Sequence, residues 1–205
     1  MRFRSSEETA DDPIRLSRRV VWVVDPIDGT RAYMAGSPDW AVCVALRDEG
    51  RPVLGVVHAP AGATTYTATK GGGARSNGKA IRTSGLTTLA DARIAGPKPM
   101  LEALAREESF AAVDKIPSLA LRLTRIADGT IDAGLVSPDA RDWDLAAADL
   151  VLAEAGGQVT TSDGEALGYN REIPVHGMLM ASGCSLAAAL AQALRRLRES
   201  QPQRS

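Results

Sequence analysis

Between Trp22 and Tyr33 the chain reads WVVDPIDGTRAY. Two carboxylates, Asp25 and Asp28, follow an apolar run and stand beside Pro26 and a Gly29-Thr30 pair. Taken alone the stretch is a good turn former, because proline fixes φ and glycine tolerates unusual angles. Further acidic residues stand far away in the chain. Asp144, in RDWDLAAADLVLAEAGG, reads as the beginning of a helix, and by itself as an N-cap. Glu7, in the polar stretch before the first apolar run, reads by itself as a solvated charge. Two carboxylates about 4 Å apart repel by about 4 kcal/mol at an effective dielectric near 20. A site that gathers several of them therefore needs cations. Oxygen-only ligands select hard ions, Mg²⁺ above all when a phosphate completes the shell. Thr30 adds a hydroxyl that can orient water. The Gly29 and Thr30 N–H groups, at the start of a short helix, suit phosphate oxygens. Together these parts describe metal-assisted hydrolysis of a phosphate ester.

The elements that must position these residues are legible in outline. VVWVV, WAVCVAL, PVLGVVHAP and TTYTAT read as strands by their β-branched content and alternation. Asp48-Glu49-Gly50 and Asn77-Gly78 read as turns between them, the second a strong hairpin signal. The first part of the chain is thus expected to be an antiparallel sheet. The second half changes character. ARIAG, IDAGLV, QVTT and HGMLMAS read as strands, interleaved with helices over Pro99 to Glu108, from Leu119 to Ala127, over Asp144 to Ala155, and along Leu186, Leu190, Leu194 and Leu197. Gly156-Gly157 reads as a helix stop without chemistry. Strands alternating with helices imply an α/β layer with some parallel strands. The expected organisation is an antiparallel-sheet subdomain with the metal motif over 1–86, an α/β subdomain completing the site over 87–198, and a loose tail over 199–205.

Composition excludes several function classes. The chain has 205 residues, 44% hydrophobic and 24% charged, enough for one substantial core or two joined subdomains. Its formal net charge of -1 leaves no broad basic field for a nucleic-acid polymer. Basic clusters near Arg15 to Arg19 and Arg195 to Arg198 read as solvated faces. No apolar run is long enough to span a membrane, and MRFRSSEETADDP has no apolar core of a secretory signal. Two cysteines, Cys43 and Cys184, each in an apolar stretch, are expected as buried free thiols in a reducing cytoplasm.

Three stretches together, SEE (Ser6 to Glu8), WVVDPIDGT (Trp22 to Thr30) and WDLAAADLVLAEAGG (Trp143 to Gly157), resemble the signature motifs of the inositol monophosphatase family. GVVHAPAGATTYTATKGGGARSNGKAI is similar to that family's central hairpin, so the resemblance runs from about Ser6 to Ser182. Members are magnesium-dependent, often lithium-inhibited phosphatases of small phosphorylated metabolites. The resemblance implies a layered αβαβα sandwich and two or three Mg²⁺ ions. It implies that Glu7, Asp25 and the Ile27 carbonyl hold one ion, and that Asp25, Asp28 and Asp144 hold a second. Glu7 and Thr30 would orient the attacking water, Gly29 and Thr30 would hold the phosphate, and Asp28 and Asp144 would also contact the substrate.

Two local features bear on the substrate. After DGT this chain continues Arg31-Ala32-Tyr33. Arg31 and the aromatic fit the family's 3'(2'),5'-bisphosphate nucleotidase branch, while Ala32 departs from it. Inositol phosphatases of the family often place an acidic residue seven before the Asp of the WD motif, where this chain has Ser137. The expected substrate is therefore adenosine 3',5'-bisphosphate, losing its 3'-phosphate, with inositol monophosphate or a related small monoester as the alternative. The family also carries a helical pair and a hairpin ahead of the Glu-Glu motif, whereas this chain begins six residues before Glu7. The expectation is a missing N-terminal helix layer, a first sheet with uncovered apolar surface, and a tendency to associate, as a homodimer for instance. A non-catalytic remnant that binds metal and a phosphorylated ligand is the competing expectation.

Overall fold

The apolar run that begins at Val20 forms a strand that does not stop at the first aspartate. The structure is a computed structural model and describes residues 3–4 and 13–200. Glu7 lies outside the described residues. In chain order the strands are β1 (Phe3–Arg4), β2 (Val20–Asp28), β3 (Ala41–Asp48), β4 (Arg51–Ala59), β5 (Thr64–Thr69), β6 (Ala74–Ser76), β7 (Lys79–Ala80), β8 (Arg93–Ala95), β9 (Ala111–Ala112), β10 (Ala133–Val136), β11 (Ala140–Arg141), β12 (Gly157–Thr161), β13 (Val175–His176) and β14 (Leu179–Gly183). The helices are α1 (Thr30–Met34), α2 (Lys98–Leu104), α3 (Leu119–Ala127), α4 (Asp142–Glu154) and α5 (Cys184–Ser200). Residues 201–205 lie outside the described residues.

Strands β1 to β7 form one sheet in sequence order, antiparallel throughout except for the short parallel edge pair β1–β2. Sequence order follows from tight turns such as Asn77-Gly78, both at positive φ between β6 and β7. A second, mixed sheet has the order β12-β14-β10-β8-β9, with β10, β8 and β9 parallel. The pair β11–β13 stands apart and is antiparallel.

Helices α3 and α4 lie between the two sheets. Their buried side chains join Val23, Cys43 and Val57 of the first sheet to Val159, Leu179 and Ala181 of the second in one core. Leu145 and Leu152 of α4 are fully buried, each stabilising the core by about 1.5–3 kcal/mol. A helix covered on two sides must be apolar almost all round, which is why DWDLAAADLVLAE lacks a polar face. Its small residues let backbone approach backbone. A Cβ at Gly55 of β4 would lie 2.6 Å from the Ala147 carbonyl, so only glycine fits there. Helices α2 and α5 cover the other face of the second sheet through Leu101, Leu104, Leu186 and Leu190 against Ile94, Leu135 and Met180. Among the described residues the layers therefore run sheet, helices, sheet, helices, as an α/β sandwich requires. No helix among the described residues is long and apolar enough to cross a membrane.

Three expectations are corrected. The Asp25–Asp28 stretch is a bulge inside β2 rather than a turn that ends it. Asp25 pairs with Cys43 and Asp28 with Ala41, so three steps on β2 face two on β3. Pro26, which cannot donate to a ladder, is tolerated at such a bulge. Cys184 is exposed, because it is the first residue of α5 at the protein surface, while Cys43 is buried as expected. Arg15 is buried rather than part of a solvated face, since its guanidinium bonds the Arg171 and Glu172 carbonyls and the Asn170 side chain.

Candidate active site

The bulge in β2 aims Asp25 and Asp28 toward the ends of two helices. Directly after it Gly29 takes φ +85°, a left-handed conformation, and a Cβ there would meet the Asp39 carbonyl at 3.0 Å and the Ser118 Cα at 3.3 Å. Glycine is therefore the residue that lets the chain reverse into α1 at this spot. Asp28 reaches the N-terminus of α3. There the Ser118 hydroxyl and the Ala120 N–H (2.8 Å) both donate to its Oδ2. Ser118 is the N-cap of α3 and accepts the Leu121 N–H at 3.1 Å, so one residue caps the helix and orients the carboxylate. Asp144 is the third residue of α4 and not its N-cap, because the helix starts two residues earlier at Asp142. Its Oδ2 accepts the Arg141 N–H at 2.8 Å. Asp25 Oδ1 accepts the Ile27 N–H at 2.9 Å.

Each of the three aspartates is thus pinned through one oxygen by a backbone N–H. Together they bring carboxylate oxygens within 4.8 Å of one another. At that separation two full charges repel by about 3 kcal/mol at an effective dielectric near 20. Burial raises Asp28 above the ordinary carboxylate range, against the opposing pull of Ser118, Ala120, Leu119 and Arg122. The thiol of Cys43, opposite Asp25 on β3, is pushed well up by burial and by the charges of Asp28, Asp25 and Asp144. Local negative charge is therefore concentrated on this side of the sheet. Three hard oxygen donors held by backbone bonds suit a hard divalent cation, so the donor set fits Mg²⁺. The Thr30 hydroxyl donates to the Ile27 carbonyl at 3.0 Å.

These residues line a cleft of about 590 Å³. Asp25, Ile27, Asp28, Gly29, Thr30, Arg31 and Asp144 all border it, as does Ser137. Every expected site residue among the described ones is brought together, and Glu7 lies outside them. Lys115, Arg122 and Trp143 also line the cleft. The buried guanidinium of Arg122 donates to the Leu135 and Ile116 carbonyls and is held below its ordinary pKa by burial. Ser118, Lys115 and Arg122 carry no motif that sequence reasoning could have singled out. An S-x-x-L helix start is only a capping signal, and a lysine in a loop is common.

A family model described as inositol monophosphatase family matches residues 2–201. The inositol-1-monophosphatase of Mesorhizobium japonicum is 35% identical over 153 residues, covering 70% of this chain and 57% of that protein. The 3'(2'),5'-bisphosphate nucleotidase CysQ of Aggregatibacter actinomycetemcomitans is 32% identical over 180 residues, covering 81% of this chain and 65% of that protein. This chain therefore spans less than two thirds of the length of these relatives. The crystal structure of extragenic suppressor protein suhB from Bartonella henselae superposes with a TM-score of 0.79 at 29% identity, covering 94% of this chain and 79% of that one. The layered fold, the aspartate motifs and the match along nearly the whole chain agree, and the chain belongs to the inositol monophosphatase family.

Proposed function

We propose that this chain carries a Mg²⁺-dependent phosphatase site for a small phosphate monoester, and that its substrate is adenosine 3',5'-bisphosphate, which loses its 3'-phosphate. The observation that carries the reading is the set of three aspartate oxygens within 4.8 Å in a cleft also bordered by Arg31, Lys115 and Arg122. Asp25, Asp28, Asp144, the Ile27 carbonyl and Glu7 would hold the ions. Bound Mg²⁺ supplies charge stabilisation for the phosphoryl oxygens and makes water a better nucleophile at neutral pH.

The remaining roles fall to the chain's own groups. Thr30 spends its proton on the Ile27 carbonyl, which leaves its oxygen lone pairs to accept a hydrogen bond from the attacking water. Glu7 accepts from the same water and takes its proton. The Gly29 and Thr30 N–H groups hold phosphoryl oxygens at the start of α1. The water oxygen forms the new P–O bond as the ester P–O bond breaks in line, and the leaving alkoxide takes a proton from solvent water to depart as the alcohol, Glu7 returning its own proton to solvent. Arg31 and Lys115 offer cations for a second phosphate on the substrate, and Ser137 offers a hydroxyl where an inositol-binding carboxylate would stand.

The likeness to an inositol-1-monophosphatase favours a second reading, in which inositol monophosphate is the substrate. Phosphate release from adenosine 3',5'-bisphosphate and from inositol 1-phosphate, with Mg²⁺ and with EDTA, separates the two. Faster Mg²⁺-dependent release from the bisphosphate supports the reading, and faster release from inositol phosphate reverses the substrate order. No Mg²⁺-dependent release from either ester would favour a non-catalytic role.

A further inference from the structure

Behind the acidic cluster, on the far side of the first turn of α4, lies a buried polar network that the proposed reaction does not use. The side chains of Asp142 and His176 are 1% and 3% exposed, with His176 Nε2 at 2.9 Å from Asp142 Oδ1. The other carboxylate oxygen accepts the Asn170 N–H at 2.7 Å, from a residue held in a left-handed conformation at φ 65°. On the opposite edge of the imidazole, Arg171 Nη2 stands 3.3 Å from Nδ1 and donates to the Val175 carbonyl at 2.8 Å. A guanidinium has only donors to offer, so Nδ1 must accept. Nε2 must then carry the hydrogen and donate to Asp142. Arg171, His176 and Asp142 form one directed chain, with the imidazole held between a guanidinium and a carboxylate.

The same loop grips α4 a second time and is itself gripped from elsewhere. The Tyr169 hydroxyl donates to Asp149 Oδ2 at 2.8 Å. Asp149 lies seven residues after Asp142, hence on the same helix face. Arg15 donates to Asn170 Oδ1 at 3.0 Å and to the Arg171 carbonyl at 2.9 Å. The strand pair β11–β13 sets Ala140 opposite His176 immediately before the helix begins. Asp142 and Asp144 stand two residues apart on one helical turn, about 200° apart around its axis. A bond that fixes Asp142 on the rear face therefore sets the rotation and height of Asp144 on the front.

We propose that His176 is a positioning residue, locked by Arg171 as the Nε2–H tautomer, that holds the first turn of α4 so that Asp144 meets Asp25 and Asp28 in metal-binding geometry. This rests on the metal site of the proposed function. Outer partners of metal ligands commonly carry a tenfold to hundredfold share of metal affinity. His176 would do so through the helix rather than by touching a ligand.

The test is Mg²⁺ binding by calorimetry, together with nitrogen-15 NMR of the imidazoles, which is tractable because the chain has only two histidines. In the wild type the His176 ring should show protonated Nε2 and bare Nδ1 at neutral pH. His176→Leu should weaken Mg²⁺ binding about tenfold or more. His176→Gln, which keeps a donor for Asp142 and an acceptor for Arg171, should stay within about threefold of wild type. Should the leucine variant fail to fold, Arg171→Leu at the exposed end of the network serves in its place. It should admit the Nδ1–H tautomer and weaken Mg²⁺ several-fold. Wild-type Mg²⁺ affinity in folded His176→Leu or in Arg171→Leu overturns the proposal while leaving the metal site standing, as does an Nδ1–H or cationic ring in the wild type. Absence of Mg²⁺ binding by the wild type overturns both.

Discussion

Asp142 and Asp144 stand two residues apart on the first turn of α4 and meet opposite surroundings. Asp142 is buried against donors supplied by the protein, the imidazole of His176 and the Asn170 N–H. Asp144 is half-buried and gathered with two like charges, Asp25 and Asp28. The rear carboxylate is balanced internally, as buried charges generally must be. The front cluster concentrates charge, at a cost of about 3 kcal/mol per unscreened pair, and that cost is what a bound cation relieves. One short helical turn thus separates a group that stabilises the fold from a group that destabilises it in the absence of metal. The contrast shows that residue type alone does not tell a structural aspartate from a candidate ligand; the partners do.

The contrast can be broken most sharply at Asp25. Asp25→Asn should cut Mg²⁺-dependent phosphate release by about a hundredfold or more, since it removes a ligand shared by both expected ions. In EDTA the same variant should melt at a higher temperature than wild type, because a like charge has left the cluster. Asp142→Asn should do the reverse in EDTA and lower stability by about 1–3 kcal/mol, since it turns an amide toward the His176 N–H. Thermal melts of both variants with and without Mg²⁺ check the pair, and a lower melting temperature for Asp25→Asn in EDTA would sink the comparison.

A smaller effect is expected at Ser118, which serves both settings at once by capping α3 and donating to Asp28. Ser118→Ala should cost about 1–2 kcal/mol in urea unfolding. It should also raise the Asp28 pKa further, because a hydrogen bond to the charged form is lost.

The smallest effect belongs to Asp149, further along the rear face of α4. Burial raises its pKa from 3.8 to about 6, against the pull of the Tyr169 hydroxyl, Arg51 and His176. The folded state therefore holds this proton more tightly than the unfolded chain. Its stabilising contribution is fully present below about pH 4 and is lost as pH rises through about 6. The loss is on the order of 1 kcal/mol, less than the full linkage value because the residue keeps some contact with water. Asp149→Asn should remove this decline while keeping an acceptor for Tyr169. Urea titrations of both proteins from pH 4 to pH 7 should show the variant gaining on wild type as pH rises.

Much of this was legible along the chain. The alternation in WAVCVAL and PVLGVVHAP marks two neighbouring strands, Asn77-Gly78 marks the hairpin of β6 and β7, and the apolar run from Asp144 to Ala155 marks the central helix, two residues late at its start. Asp25, Asp28, Gly29, Thr30 and Asp144 were nameable because their motifs are local and stereotyped. Arg15, Ser118, Arg122 and His176 were not. Arg15 sits in a cluster that reads as a solvated face, and Ser118 stands in no motif. His176 opens the strand-like HGMLMAS and belongs to no motif, and its partner Asp142 stands far away in the chain beside Asp144.

By itself, then, the sequence determined what is short-range. Backbone preference, side-chain periodicity and turn chemistry act over a few residues, so they settle the elements and the motif that opens the cleft. Tertiary structure alone decided which charges meet and what answers them. The β2 bulge and the N-termini of α3 and α4 bring Asp25, Asp28 and Asp144 to one point, while the loop at 169–176 closes over Asp142 and Asp149. Coulomb energies and hydrogen bonds depend on distances in space, and those follow from how the layers pack.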